Sequence, residues 1–484
     1  MRRRIVFEGL EAIGFRVNGI MTQILENIQT QERVLNDRIA ARIVRLAYPV
    51  LIEQTLLYLV GFSDTVLTGY FLGEEHLAAV TNASYLLWMI GGLLTVVSVG
   101  GTALTARLHG ANDHESATRV CRQSIALAWM IGTVILVTGW TLAPIVISLM
   151  NLTGVAAVSA TRFLRIILMV TPLLATTTAG VACLRGVGDT LTGMWVMIGV
   201  NLVNIALSWL LARGLGPIPS LGFAGIATGT ACGEGLGGIA VLILLARGRS
   251  GLSLGLDGFF PNVRDSWRIL RISLPAAGEG LTNSLCQLWF LGLINRLGPT
   301  ATAAHGVAIR CEALAFLTLN AFAVAAATLT GMYLGAGRVE AARRAGRTAW
   351  VMGLATSAAL GFFLYTQADF LFSMFLGGTK PRVAELGVPV LRIVSFALPA
   401  LATINILSGS LRGAGDTRIP WGIVLFGYLI VRIPLTYYFV LTPSEGGVGL
   451  GLRGAWLAMF ADLSTRGVLV AARFLGGRWI HTKV

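Results

Sequence analysis

The sequence predicts an all-α polytopic membrane protein, with twelve transmembrane helices arranged as two six-helix repeats. Three observations carry this prediction. Apolar residues make up 55% of the chain and charged residues 12%, with a mean hydropathy of +0.75, whereas soluble chains carry roughly 25% charge. A soluble chain of 484 residues would suggest about three domains, but this composition leaves too little polar surface to coat a globule in water. Next, the apolar stretches come at lengths that span a bilayer. Finally, a phrase occurs twice: Leu184-Arg185-Gly186-Val187-Gly188-Asp189-Thr190 returns as Leu411-Arg412-Gly413-Ala414-Gly415-Asp416-Thr417, 227 positions on. Pro172 and Pro399 keep that offset, and upstream it is 226, pairing Pro49 with Pro275, Glu53 with Glu279 and Leu108 with Leu334. A near-constant offset over so long a stretch means two structurally equivalent halves.

A hydrocarbon core of ~30 Å takes ~20 helical residues. Stretches of that kind fall near 46–70, 77–104, 121–147, 155–181, 191–212 and 222–246, then near 268–295, 301–331, 348–368, 383–409, 419–442 and 454–475. The expected organisation is a first lobe at 46–250, a linker at 251–267 and a second lobe at 268–484 ending in a short tail. Six spans per repeat make both halves face the same way. The duplication is therefore parallel, with its pseudo-twofold axis along the membrane normal.

Before the first span, Ile13, Val17, Ile20, Ile24 and Ile28 recur at helical spacing with charges between them. Residues 1–45 read as an amphipathic helix lying on the membrane or covering a cytoplasmic mouth. A loosely ordered tail, or an over-long start with Met21 as initiator, fits equally. Glu8 and Glu11 break any signal-peptide core behind Arg2-Arg3-Arg4.

The net charge of +14 points away from nucleic acid on inspection, because only Lys380 and Lys483 are lysines and the arginines sit in short gaps between apolar runs. Their bias sets orientation. With the N-terminus inside, the inner loops hold Arg107, Arg119 and Arg122, then Arg185, then Arg247, Arg249, Arg264, Arg268 and Arg271, then Arg338, Arg343, Arg344 and Arg347, and finally Arg412 and Arg418. Both termini are then cytoplasmic, in a cell membrane. The five cysteines have no zinc or redox spacing and read as buried thiols.

Enzyme signatures are missing. No Gly-rich loop ends in Gly-Lys-Ser/Thr, and the five histidines show no metal-ligand spacing. Gly233-Glu234-Gly235-Leu236-Gly237-Gly238 fits a dinucleotide fingerprint only in letters, since no strand precedes it. Small residues packing two helices closely explain it better. A membrane-embedded enzyme would need an acid/base or metal constellation at matched depth, and the chain offers none. No cofactor or metal is implied.

Acids inside spans are the informative residues, since each costs at least ~2.5 kcal/mol at the bilayer centre. Asp64 is the sharpest candidate, deep in the first span, where a carboxyl can take up and release a proton; a carboxylate fixed by a neighbouring Arg or Asn is the plainer reading. Asn201, Asn204 and Ser208 form a polar stripe on one face of the fifth span, either as glue between helices or as neighbours of Asp64. Glu53 and Glu279 occupy equivalent places in the two repeats. Glu53 fits a lobe-closing ion pair or headgroup contact, and Glu279 fits that structural role or a functional one equally. Glu312 lies two residues from Arg310, so the two point to different faces. Glu234 is a further acid, in the sixth span. Arg432 and Asp462 read as an ion pair between adjacent helices. In the repeated phrase, Asp and Thr before an apolar run read as N-caps.

At these residues the sequence resembles the multidrug and toxic compound extrusion family. The likeness rests on Gly61-Phe62-Ser63-Asp64-Thr65-Val66-Leu67-Thr68-Gly69, on the phrase at 184–190 followed by Asn201 and Asn204, and on Leu274-Pro275-Ala276-Ala277, Ala303-Ala304-His305, Ile309-Arg310-Cys311-Glu312 and Leu334-Gly335-Ala336-Gly337-Arg338. It covers about residues 45–475. The resemblance implies a monomer of two V-shaped lobes that exports organic cations against protons or sodium, with Asp64 as coupling carboxylate and Asn204 as its polar neighbour. Two departures matter. Ser208 stands where some members carry an acid, and near Leu401 only Thr403 and Asn405 are polar where others carry an Asp. Glu279 and Glu312 are the remaining second-lobe candidates, and the balance tilts toward protons. The expected partners are the lipid bilayer, a small amphipathic, cationic substrate and H+ or Na+. A flippase for lipid-linked or polysaccharide precursors, kept open by Arg310, Arg392 and Arg432, is the alternative, as is an exporter of a metabolite such as an organic acid.

Overall fold

The structure, a computed structural model, describes residues 38–72, 74–150, 152–214, 219–255, 262–376, 381–442, 444 and 446–482. The expected amphipathic segment lies outside these residues as far as 37, and 38–45 form the opening turns of the first helix. The first lobe runs through α1 (Arg38–Phe71), α2 (Glu74–Gly110), α3 (His114–Leu149), α4 (Gly154–Met169), α5 (Thr171–Gly186), α6 (Leu191–Arg213) and α7 (Phe223–Ala246). The second holds α8 (Val263–Asn295), α9 (Pro299–Gly335), α10 (Val339–Thr366), short α11 (Ala368–Leu376), α12 (Pro381–Gly413), α13 (Arg418–Phe426), α14 (Ile433–Val440) and α15 (Gly451–Leu475). A π turn at Gly427–Arg432 joins α13 and α14 into one span, Arg418–Val440.

Among the described residues ten helices are long and apolar enough to cross a bilayer, and the pair α4/α5 makes eleven. That pair bends by 54° because Pro172, in the first turn of α5, has no N–H to continue the ladder across Val170. The twelfth expected crossing is α8. It has the length, 33 residues, but Glu279, Thr282, Asn283, Ser284 and Gln287 dilute its apolar character below that of the others. Large apolar side chains such as Trp88, Leu202 and Phe362 lie exposed on the outer faces, as lipid contact requires and water would not tolerate.

The two copies of the repeated phrase fold alike. Gly188 and Gly415 both sit at φ +85°, a conformation open to glycine at no steric cost. In each copy the Asp grips an arginine at the end of the lobe's sixth span or just past it: Asp189 accepts from Arg249 Nε at 3.0 Å, and Asp416 from Arg473 Nε, in the last turn of α15, at 2.8 Å. Asp189 also accepts from the Thr192 backbone N–H at 3.0 Å, which caps α6 as expected, and from the Ser250 hydroxyl at 2.6 Å. The threonines do not cap as expected: neither Thr190 nor Thr417 makes a side-chain capping bond. The phrase is a staple that ties the start of the fifth helix to the end of the sixth.

The lobes meet where α2 crosses α8 and α9, at the end bearing the 111–113 and 336–338 loops. Small residues let the backbones touch. A Cβ added to Gly110 would run into Met332, to Gly335 into Arg107, to Gly331 into Ala106 and to Gly100 into Ile269. The Gly100 N–H donates to Ser273 Oγ at 2.8 Å, and Thr328 Oγ1 donates to the Arg185 carbonyl at 3.1 Å. The first helix takes part in both lobes. Ile39, Ile43, Leu46, Ala47 and Val50 join the apolar core of the second lobe, while Val60 joins a core of the first.

The Asp189 staple lies outside the spans and responds to pH. Partial burial works against its charge, but hydrogen bonds from Ser250, Thr192 and Arg249 outweigh this and hold the carboxyl below its usual range. A group whose folded pKa is depressed stabilises above its unfolded pKa, and the gain fades as pH falls through the folded one. Asp189→Asn is therefore expected to lower the thermal midpoint near pH 7, with the gap to wild type closing below about pH 4. An equal gap at both ends of that range would contradict the staple.

A buried carboxylate held by neutral donors

Helices α6 and α7 approach so closely because α7 turns a stripe of glycines toward α6. Gly225, Gly229, Gly233 and Gly237 recur every fourth residue, and a Cβ on them would meet Leu211, Ser208, Val200 with Asn204, and Val200 respectively. The space they leave admits the polar stripe of α6. This is the role expected for the small residues around 233–238, and it explains how Asn204 and Ser208, both fully buried, find room in an apolar bundle.

Asp64 enters this seam from α1 and is only 3% exposed. Its Oδ1 accepts from Asn204 Nδ2 at 3.2 Å and its Oδ2 from Thr230 Oγ1 at 2.7 Å. Asn204 Nδ2 also reaches Thr230 Oγ1 at 2.9 Å and Ser208 Oγ at 3.4 Å, while its Oδ1 accepts from Ser63 Oγ at 3.0 Å. Ser208 Oγ donates to the Ile226 carbonyl at 3.1 Å. No ion pair reaches Asp64 from any described residue; every partner is neutral. A carboxylate in this setting keeps its charge by hydrogen bonding alone, so a proton or a small cation is the natural means of neutralising it.

The structure brings together Asp64, Asn204 and Ser208 and leaves Asn201 aside. Asn201 Nδ2 donates to its own helix at Met197, and its Oδ1 has no partner. Thr230 and Ser63 were not singled out from sequence. Glu234 stands one turn beyond Thr230 on α7, buried and within electrostatic reach of Asp64. Ser208 had suggested a first lobe with a single carboxylate; the second one comes from α7 instead.

The other acids have separate places. Glu53 pairs with Arg185 inside the first lobe, a lobe-closing contact of the kind expected. Its repeat equivalent Glu279 is buried with Oε2 unpartnered, and Arg412 bonds the Ser408 carbonyl instead. No hydrogen bond joins Glu279 to Glu312 among the described residues. Asp462 does meet Arg432, at 3.4 Å, but its nearer partner is Arg466 on its own helix at 2.6 Å.

An apolar helical bundle in two repeats, with a buried and uncompensated carboxylate between helices, defines a membrane transporter. A family model described as MatE matches residues 49–210 and 275–438, one match in each repeat. The chain belongs to the MatE family, whose members are transporters rather than enzymes. It is 29% identical over 458 residues to a probable multidrug resistance protein NorM of Thermotoga maritima, covering 94% of this chain and 96% of that protein. It is 25% identical over 439 residues to an uncharacterized transporter, YisQ, of Bacillus subtilis, covering 90% and 94%. In fold it resembles a MATE crystal structure in the bent conformation (TM-score 0.83, 24% identity, 92% and 96% covered). It also resembles the outward-facing conformation of a multidrug resistance MATE family transporter (TM-score 0.82, 23% identity, 92% and 97% covered).

The glycine stripe makes the Asp64 seam fragile to added bulk. Gly229→Val places atoms against the Ser208 backbone and side chain. It is expected to cost about 1–3 kcal/mol of stability through overpacking, measurable as a lowered unfolding midpoint. Gly199→Val, where a Cβ meets nothing within 4 Å, serves as the control and should stay close to wild type.

Proposed function

We propose that this protein is a secondary-active exporter of amphipathic, cationic compounds, working by alternating access and driven by antiport of H+ in preference to Na+. The observation that carries this reading is Asp64, a buried carboxylate whose partners are all neutral. The names of the NorM relatives support a multidrug substrate range. The two lobes are taken as 46–250 and 268–484 in a monomeric, multi-pass protein of the plasma membrane, with both termini cytoplasmic.

The steps follow from α1. A proton arriving at Asp64 Oδ2 makes that oxygen a donor, so the Thr230 hydroxyl must turn to accept from it and give its own proton to the Ile226 carbonyl. The same helix makes polar contacts with the second lobe: Asn320 Nδ2 donates to Gln54 Oε1 at 3.0 Å, and Arg42 Nη1 donates to Tyr333 Oη at 3.1 Å. A change at Asp64 is thereby transmitted to the lobe contact. Substrate and proton exclude one another because each favours a different state, the only basis on which one can drive the other. Sodium enters as the second reading because Asp64, Ser208, Thr230 and the Ile226 carbonyl gather hard oxygens in one place.

Inverted vesicles with an acid interior test this directly. Organic cations added to wild type should dissipate the pH gradient, and Asp64→Asn should reduce the response to background. Dissipation that appears only with sodium present would transfer the coupling to Na+. Wild-type vesicles that ignore every cation in either salt would remove the exporter reading.

A further inference from the structure

The second lobe holds a buried charged centre that coupling at Asp64 does not use, and the repeat explains its position. Around the repeated phrase the offset between lobes is 227. The π turn at Gly427–Arg432 fits one extra residue into the helix. Beyond it the offset becomes 228, matching Ile205 with Ile433, Leu207 with Leu435, Ser208 with Thr436 and Trp209 with Tyr437. Arg432 therefore stands where Asn204 stands in the first lobe. With the upstream offset of 226, Phe290 stands where Asp64 stands. The contacts agree: Asn204 bonds Asp64 in one lobe, and the Arg432 guanidinium lies over the Phe290 ring, 5.2 Å from its centroid, in the other. The carboxylate centre of the first lobe is replaced by a guanidinium.

The environment of Arg432 is built for this. Only 2% exposed, it is also stacked on Tyr428 at 5.2 Å, and Tyr428 in turn covers Arg466 at 4.6 Å. Asp462 is fully buried and pairs with both arginines through Oδ2, and its approach is possible because Gly427 has no side chain to block it. Yet the Arg432 guanidinium makes no hydrogen bond to any described residue, and its Nε is buried without a partner. An unpaired buried donor is costly, and the ion pair with Asp462, at 3.4 Å, is a long one. Glu312 lies half-buried on α9 and makes no hydrogen bond to Arg432. His305 packs against Phe290 and Trp456 beside it.

We infer that Arg432 is the anchor of a second-lobe binding site for the carboxylate of an aromatic amphipathic substrate. A carboxylate meets the guanidinium in the bidentate geometry that Arg favours, takes over from Asp462 as its counter-charge while Asp462 keeps the nearer Arg466, and leaves the aromatic body against Trp289 and Tyr437, whose rings lie 5.8 Å apart. The inference rests on the exporter reading and extends it to substrates that carry an acid beside their cationic group.

The test compares a rhodamine bearing a free carboxylate with the methyl ester of the same dye, by fluorescence polarisation on the full chain in nanodiscs. Arg432→Met leaves the Asp462–Arg466 pair in place, and it is expected to weaken the carboxylate dye about tenfold more than the ester. Equal losses for both dyes in Arg432→Met would overturn the site while leaving cation export intact. Wild type that binds neither dye would overturn the exporter reading along with it.

Discussion

One helix, α1, packs into both lobes, and the rest of the structure depends on how it is held. Its opening turns are buried with the apolar core of the second lobe, its middle is tied to α5 by the Glu53–Arg185 pair, and its far half carries Asp64 into the α6–α7 seam. Each attachment differs in strength and kind. The apolar contact is broad and tolerant, whereas the seam depends on two hydrogen bonds to a single carboxylate. In a bilayer neither can be exchanged for water. A change in the charge of Asp64 thus acts on the least redundant of the attachments, and the helix carries it along its length to the lobe contact.

Close backbone approach is the second constraint, and glycine supplies it twice. The stripe on α7 lets α6 in, while Gly110, Gly331 and Gly335 let α2 meet α9. Lipid tails are as apolar as leucine, so helices in a membrane gain little from burying leucines and much from contact at short range. The two uses differ in outcome. Between α6 and α7 the gap admits polar side chains and becomes a site. Between α2 and α9 it admits backbone and becomes a seal between lobes.

Much of this is legible in the sequence. The repeat, the spans and the polar stripe at Asn204 and Ser208 follow from offsets and periodicity, and Asp64 stands out because a charge in an apolar run is costly. Thr230 was not legible. Threonines such as Thr133, Thr138 and Thr228 bond the carbonyl four residues back in their own helices, so a threonine in a span carries no signal until its neighbours are known. Arg466 sits four residues from Asp462, a spacing that makes an ion pair on any helix; its importance lies in burial, which a sequence does not display. The π turn hides for another reason: a one-residue insertion disturbs no apolar pattern and shows only as a step from 227 to 228 once the repeats are superposed.

That step leaves the two lobes with centres of different chemical freedom. A carboxylate among neutral donors, as at Asp64, has two ways to lose its charge, protonation or a bound cation. A guanidinium has neither, because it does not give up its proton under any condition a cell provides. The charge at Arg432 is permanent, and the second lobe has built Asp462 and an aromatic stack around it rather than a titratable partner alone. Its balance can change only when one counter-charge replaces another. The matching positions hold Asp64 and Asn204 in one lobe and Phe290 and Arg432 in the other, so the two pockets are not chemically equivalent. Under the exporter reading and the second-lobe site proposed above, the first lobe responds to a proton gradient, and the second distinguishes substrates by the acid they carry.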